Sequence, residues 1–281
     1  MTRTATGDRL APGARIGDYR IDRELRTEDT GIVYEGVHRV LPRRTAIKVL
    51  HSDRGGMKAM AVQLLREACV LEALSHPGVP RVFECGVLAD KRPWVALELI
   101  EGTSLADATL NTPIAIADLA MVVRAAADIL AHAHARGVVH HRLGEAIVIL
   151  TPHRASPVCV RGWGDVVAHD SQLAADPASD VHALGALAYR ALTRTLLVPG
   201  ASAQTACPEA PADLTKLIDD MLADEPKRRP TAAEVSERAE WLAETLESPR
   251  SRPTATPPLG VAIRPVAARK PTPELVVRIR G

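Results

Sequence analysis

The run RTAIKVL, Arg44 to Leu50, is apolar or small throughout its interior except at Lys48. A strand of that composition is buried on both faces, so its lone ammonium needs an anionic partner away from water. The next long periodic segment is MKAMAVQLLREACVLEAL. In it Met60, Leu64, Glu67, Leu71 and Leu74 fall three or four residues apart, a helical stripe with a carboxylate in its middle. Lys48 and Glu67 are therefore expected to form an ion pair joining strand to helix. Upstream, DYRIDREL and GIVYEGVHR are short alternating runs separated by polar turns, which with RTAIKVL form an antiparallel meander. PRVFECG and RPWVALELI read as two further strands after the helix.

Beyond them the pattern turns helical. In DLAMVVRAAADILAHAHARG the residues Leu119, Val122, Val123, Ala126, Leu130 and Ala133 share a face, and Gly137 is a stop signal. VHALGALAYRAL is apolar nearly all round and is expected at the centre of a helical lobe, capped by Asp180. DLTKLIDDML is amphipathic, and Thr231 and Glu234 have the spacing of a capping box for the last helix.

With 46% apolar and 25% charged residues over 281 positions, the chain has the composition of a globular protein. Aromatic residues are 2%, so the core is expected to rest mainly on Leu, Val, Ile and Ala. Cys69, Cys85, Cys159 and Cys207 show no C-x-x-C pairing, which argues against a disulfide framework or zinc site and leaves four buried small hydrophobes in a reducing compartment. MTRTATGDRLAPG has no apolar signal region, and no run approaches the roughly 20 apolar residues of a membrane helix. A cytoplasmic protein without a membrane span is expected. His132, His134, His140 and His141 invite a metal reading, but packing roles are expected for them, and no metal ligand set is assigned. From Ser248 onward the chain is proline-rich and carries seven Lys or Arg against one Glu. This basic tail lacks aromatic residues to stack on bases, so its expected partner is a protein rather than nucleic acid.

The segments IVYEG, AIKVL, REA, LSHPGVPRV, LELIEG, AHARGVVH, SDVHALG and DEPKRRP, in this order, resemble the bacterial Ser/Thr protein kinase family over roughly residues 16–247. The resemblance implies an α+β bilobal protein-kinase-like fold, with a small antiparallel β-rich N-lobe (16–97) carrying one main helix, a hinge (98–102) and a larger, mainly helical C-lobe (103–247). Residues 1–15 are expected as a flexible N-terminus and 248–281 as a Pro-rich tail. It further implies that Lys48 is the strand lysine that contacts nucleotide phosphates and Glu67 its helix partner. Leu97 falls at the gatekeeper position, and Val33, Ala46 and Ile149 at the place of an adenine. By the same resemblance, Leu71, Val82, His140 and Trp163 are expected to stack as one internal column anchored on Asp180.

The same resemblance exposes substitutions. GVVHHRLGEAIVIL, Gly137 to Leu150, stands where the family has its catalytic loop. Arg142 replaces the aspartate base, Gly144 the lysine and Ile147 the metal-binding asparagine; Gly162 replaces the magnesium aspartate of the Asp-Phe-Gly motif. A guanidinium stays protonated and cannot serve as a base. Asp165 and Glu145 are the nearby carboxylates that a shifted metal site would have to use. The phosphate-covering loop RTEDTG keeps Gly31 alone, with Arg26 and Glu28 at its first two glycine positions. The activation segment is shortened, and Asp170 is the candidate partner of Arg229. The expectation is a pseudokinase, not an enzyme, without cofactor or metal. It would act as a scaffold, adaptor or allosteric regulator in bacterial signalling or complex assembly and bind protein partners through its 248–281 tail, with Lys48, Glu67 and Gly31 as a vestigial nucleotide site. The alternative is a cryptic nucleotide-binding transferase that uses Lys48 and Glu67.

Overall fold

The computed structural model describes residues 8–52, 57–165 and 176–247. The tail from 248, expected to bind protein partners, lies outside them, as does Asp170. The N-terminal lobe is a six-stranded antiparallel sheet made of β1 (Arg15–Ile16), β2 (Tyr19–Thr27), β3 (Gly31–His38), β4 (Arg44–Leu50), β5 (Val82–Val87) and β6 (Pro93–Glu98). Its order is β1-β2-β3-β4-β6-β5, and helix α1 (Met57–Leu74) runs between β4 and β5 in the chain. The period-two pleat divides β4 between two faces. Ile47 and Val49 join Tyr19, Ile32, Tyr34 and Trp94 in one buried cluster. Leu50, on the other face, packs with Leu64 and Ala68 of α1 and with Val95 of β6. Lys48 shares this second face, and the register Lys48↔Val95 and Ala46↔Leu97 turns it toward the second lobe.

The C-terminal lobe contains α2 (Leu105–Leu110), α3 (Ile116–His134), α4 (Pro177–Thr193), α5 (Ala203–Ala206), α6 (Ala212–Met221) and α7 (Ala232–Glu247). Leu119, Val122, Val123, Ala126, Leu130 and Ala133 are all buried along α3, as their spacing requires. Gly137 follows with φ +70, and its N–H donates to the His134 carbonyl at 2.9 Å. Glu234 accepts from the Thr231 N–H at 2.7 Å while its own N–H donates to Thr231 Oγ1 at 3.2 Å, a complete capping box. Gly185 of α4 lets α6 approach closely: a Cβ there would lie 2.8 Å from Met221 Cβ.

Several expectations change. The C-terminal lobe is not purely helical: β7 (Thr103–Ser104), β8 (Val148–Leu150) and β9 (Val158–Val160) form a small antiparallel sheet. Strands of two or three residues are too short to show a period. Cys159 and Cys207 are buried, but Cys69 and Cys85 are exposed, the latter on the edge strand β5. The few rings matter more than their number implies, since Trp163, Tyr19 and Tyr34 are among the largest fully buried side chains. Asp8, inside the stretch expected to be flexible, is buried: its carboxylate accepts from the Ser52 N–H, and its carbonyl accepts from Arg92 at 2.6 Å.

Asp180 is not the cap of α4. Asp176 is, accepting from the Ala178 N–H at 2.9 Å. Asp180 lies one turn further in, 1% exposed, and its two oxygens accept the N–H groups of His140 and His141 at 2.8 Å each. Oδ2 also meets His134 Nε2 at 2.9 Å. Replacing it by alanine orphans buried donors, each of which costs free energy when left unmade. Asp180→Ala should lower the unfolding free energy by roughly 3–5 kcal/mol, read as a fall in the urea midpoint. A loss below about 1 kcal/mol would show that the carboxylate does not hold the loop.

Candidate functional site: the cleft between the lobes

A cleft of about 370 Å³ opens where the second face of the sheet meets the C-terminal lobe. Val33, Ala46, Leu97, Leu99, Ile147 and Trp163 supply an apolar wall, and Arg26, Glu28, Lys48, Glu67, Glu98 and Arg161 supply charge. The volume falls within the range of small-molecule sites, and the mixture of apolar lining and a few converging polar groups is characteristic of them.

The column expected from the resemblance is present and sets the floor. His140 and Trp163 meet edge to face, with ring centroids 4.7 Å apart, and Leu71 and Val82 belong to the same packed core. Trp163 donates to the Val160 carbonyl at 2.9 Å. The Asp180 carboxylate fixes the His140 and His141 backbone, with His141 in the left-handed region at φ +63. His140 Nε2 in turn bonds the Arg161 carbonyl at 2.9 Å. A continuous set of bonds thus runs from α4 to the residue that projects into the cleft. His132 is used elsewhere, with Nε2 at 2.6 Å from the Leu74 carbonyl. His134, His140 and His141 thus meet at the Asp180 carboxylate, and among the described residues His132 alone of the four bonds elsewhere instead.

The replaced chemical positions are now located. Ile147 and Gly162 line the cleft side by side: a Cβ on Gly162 would lie 3.7 Å from Ile147 Cδ1. Neither brings a side-chain oxygen, so these residues do not fit the magnesium that the fold family implies. Glu145 is engaged by Arg190 at 3.3 Å. Arg142 and Gly144 belong to the same loop but do not line the cleft. Gly31 has its own structural reason. A Cβ there would sit 2.2 Å from the Val49 carbonyl, so the close approach at the paired ends of β3 and β4 requires glycine. Ile149 pairs with Ser104 inside the small sheet rather than lining the cleft; Ala146 and Ile147 line it instead. Arg229 donates to the carbonyls of Ala223 at 2.8 Å and Ala178 at 3.0 Å.

Lys48 pairs with a residue that the apolar pattern did not nominate. Its Nζ lies 3.0 Å from Glu28 Oε2, on the turn between β2 and β3, and Arg26 Nε lies 2.7 Å from the other oxygen of the same carboxylate. Burial opposes the charge on Glu28, but Lys48 and Arg26 outweigh it and hold the carboxyl below the usual range. His51 supports the turn: its N–H donates to the Thr30 carbonyl and its Nε2 lies 3.2 Å from the Glu28 carbonyl, while Nδ1 meets Asp8. Glu67 instead packs over the turn at Trp163–Asp165, where its Oε2 would lie 2.9 Å from a Cβ on Gly164. The helical stripe placed Glu67 correctly at the cleft. A hairpin folds Glu28 over Lys48, and that contact depends on the β2–β3 register, which composition does not carry.

Arg161 was not singled out from the sequence. It lines the cleft, and its guanidinium donates to the Ala146 carbonyl at 3.2 Å. Burial and the like charge of Arg26 lower its pKa. The one sequence signal for it was its place next to Gly162.

Comparison with known proteins follows the geometry. The family model of protein tyrosine and serine/threonine kinases matches residues 19–183. The chain is 31% identical over 219 residues to serine/threonine-protein kinase pkn2 of Myxococcus xanthus, covering 68% of this chain and 26% of that protein. It is 27% identical over 290 residues to serine/threonine-protein kinase PknA of Mycobacterium tuberculosis, covering 88% and 65%. The crystal structure of the Mycobacterium tuberculosis PknI kinase domain superimposes with a TM-score of 0.63 at 22% identity, over 83% of this chain and 99% of that one. The chain thus spans about a quarter of pkn2 and under two thirds of PknA. These likenesses correct the expectation that the chain is not an enzyme, because the matched family and the named relatives are kinases.

The ion triad has a pH signature. Because the Glu28 carboxyl is held below its ordinary range, its contribution is complete above that range and is lost as pH falls through the lowered value. Wild type should exceed Glu28→Gln in stability by about 1 kcal/mol at neutral pH, and denaturant midpoints should show the difference vanishing in acid. In a double-mutant cycle, Lys48→Met should couple to Glu28→Gln more strongly than to Glu67→Gln. Stronger coupling to Glu67 would reassign the pair.

Proposed function

Since the chain belongs to the protein tyrosine and serine/threonine kinase family, we propose that it serves bacterial signalling as a degenerate member, a pseudokinase. Its principal work is protein binding, as a scaffold, adaptor or allosteric regulator. The carrying observation is the pairing of Ile147 with Gly162 in the cleft, where the family's metal ligands would stand. Retention of both lobes and of the Asp180–His140–Trp163 column supports a fold maintained for recognition. The ELVVRIR run of the basic tail alternates apolar and basic residues, a pattern suited to adding a strand to a partner's sheet edge.

A second reading, a phosphotransferase acting through Lys48 and other cleft residues, is favoured by the kinase names of the relatives and by the position of Lys48 in the cleft. The two separate experimentally. Under the binding reading, a chain ending at residue 248 keeps the melting temperature of the body and loses the partners that the full chain retrieves from its native cell. Radiolabelled phosphate transfer that disappears in Lys48→Ala would establish the second reading instead. Recovery of the same partners by the truncated chain would move the contact from the tail to the lobes.

A further inference from the structure

Within the cleft, two cations converge on one internal carboxylate and a third has none. Arg26 and Lys48 each grip one oxygen of Glu28, at 2.7 and 3.0 Å. Among the described residues no carboxylate comes within ion-pairing distance of Arg161, whose one side-chain hydrogen bond there is to a neutral carbonyl. A partly buried guanidinium beside a second cation is an unfavourable arrangement unless an anion joins it. Its planar donors match phosphate oxygens. Glu67 and Glu98 also border the cleft, so the lining residues number three cations against three carboxylates, of which Glu98 is already bonded to Arg154. Glu28 stands where Arg26 and Lys48 would receive a ligand's charge. The apolar wall beside them accepts a flat ring, and Ile147 and Gly162 offer a divalent ion no side-chain oxygen.

We propose that this cleft is an anion site that works without a divalent metal: a polyphosphate group bridges Arg26, Lys48 and Arg161 and displaces the Glu28 carboxylate. Arg161 supplies the positive charge that a metal supplies in a site with oxygen ligands. Glu28 is an internal competitor that keeps the cleft closed to weakly charged molecules and yields to a ligand carrying several negative charges. Two sources share this chemistry, a nucleoside triphosphate and an inorganic polyphosphate. The wall of Val33, Ala46 and Leu97 distinguishes them by offering contact to a base.

The test is calorimetric titration of the full chain in excess EDTA with ATP and, separately, with tripolyphosphate. At least one should bind without metal. Arg161→Gln should weaken that binding about tenfold or more, Arg161→Lys should restore part of it, and Glu28→Gln should tighten it by a similar factor. All variants are first checked for an unchanged thermal transition. Tripolyphosphate binding as tightly as ATP assigns the affinity to the phosphates, whereas binding of ATP alone adds the apolar wall; both outcomes agree with the site. The proposal is overturned if wild type and Glu28→Gln bind neither ligand, if binding requires magnesium, if Arg161→Gln leaves affinity unchanged, or if Glu28→Gln weakens it.

Discussion

A buried carboxylate on one helix governs the geometry of the cleft. Asp180 sits in the first turn of α4 and uses its two oxygens to hold consecutive backbone N–H groups of His140 and His141. With those bonds made, the His140 ring is fixed against Trp163 and against the Arg161 carbonyl, and the chain is carried to the cleft at a set height. An unpaired carboxylate at this depth would be strongly unfavourable, so the loop and the helix are stable only together. The left-handed conformation of His141 is paid for by the same contact.

The chemistry of the cleft follows from which groups that scaffold brings together. A metal-dependent phosphotransfer site needs carboxylate or amide oxygens where this chain presents Ile147 and Gly162. Its positive charge comes instead from side chains: Lys48 on the sheet, Arg26 at the end of β2 and Arg161 from the opposite lobe. Glu28 bridges the first two, leaving a cleft whose charge is organised by ion pairs rather than by oxygen ligands. Family membership and the kinase names of the relatives sit beside these substitutions, which are local to the reacting positions and leave the core of both lobes intact.

The larger elements were legible in the chain because their burial is periodic. The alternation in RTAIKVL sets Ile47 and Val49 against Ala46, Lys48 and Leu50, and the three-and-four spacing on α1 and α3 names the buried faces. The Thr231–Glu234 cap was readable because it lies within four residues. The short strands β7, β8 and β9 were not, since their pairing partners are distant in sequence and their lengths carry no period. Local pattern alone also misplaced Asp180, whose role as anchor of the His140 column only the family resemblance implied. A carboxylate at the start of a helix looks like a cap, and its engagement with His140, forty residues away, is a tertiary event.

The candidate site divides in the same way. From the sequence, through its resemblance to the kinase family, came the identity of the substituted positions, Arg142, Gly144, Ile147 and Gly162, while residue type and local period put the lone ammonium of Lys48 on a strand and the carboxylate of Glu67 on an apolar helical stripe. The tertiary structure decided that Lys48 meets Glu28, that Glu67 lies over Gly164, and that Arg161 enters the same space. Charges find partners by distance in three dimensions. That distance depends on hairpin register and on how one lobe packs against the other, neither of which is written in any short stretch of sequence.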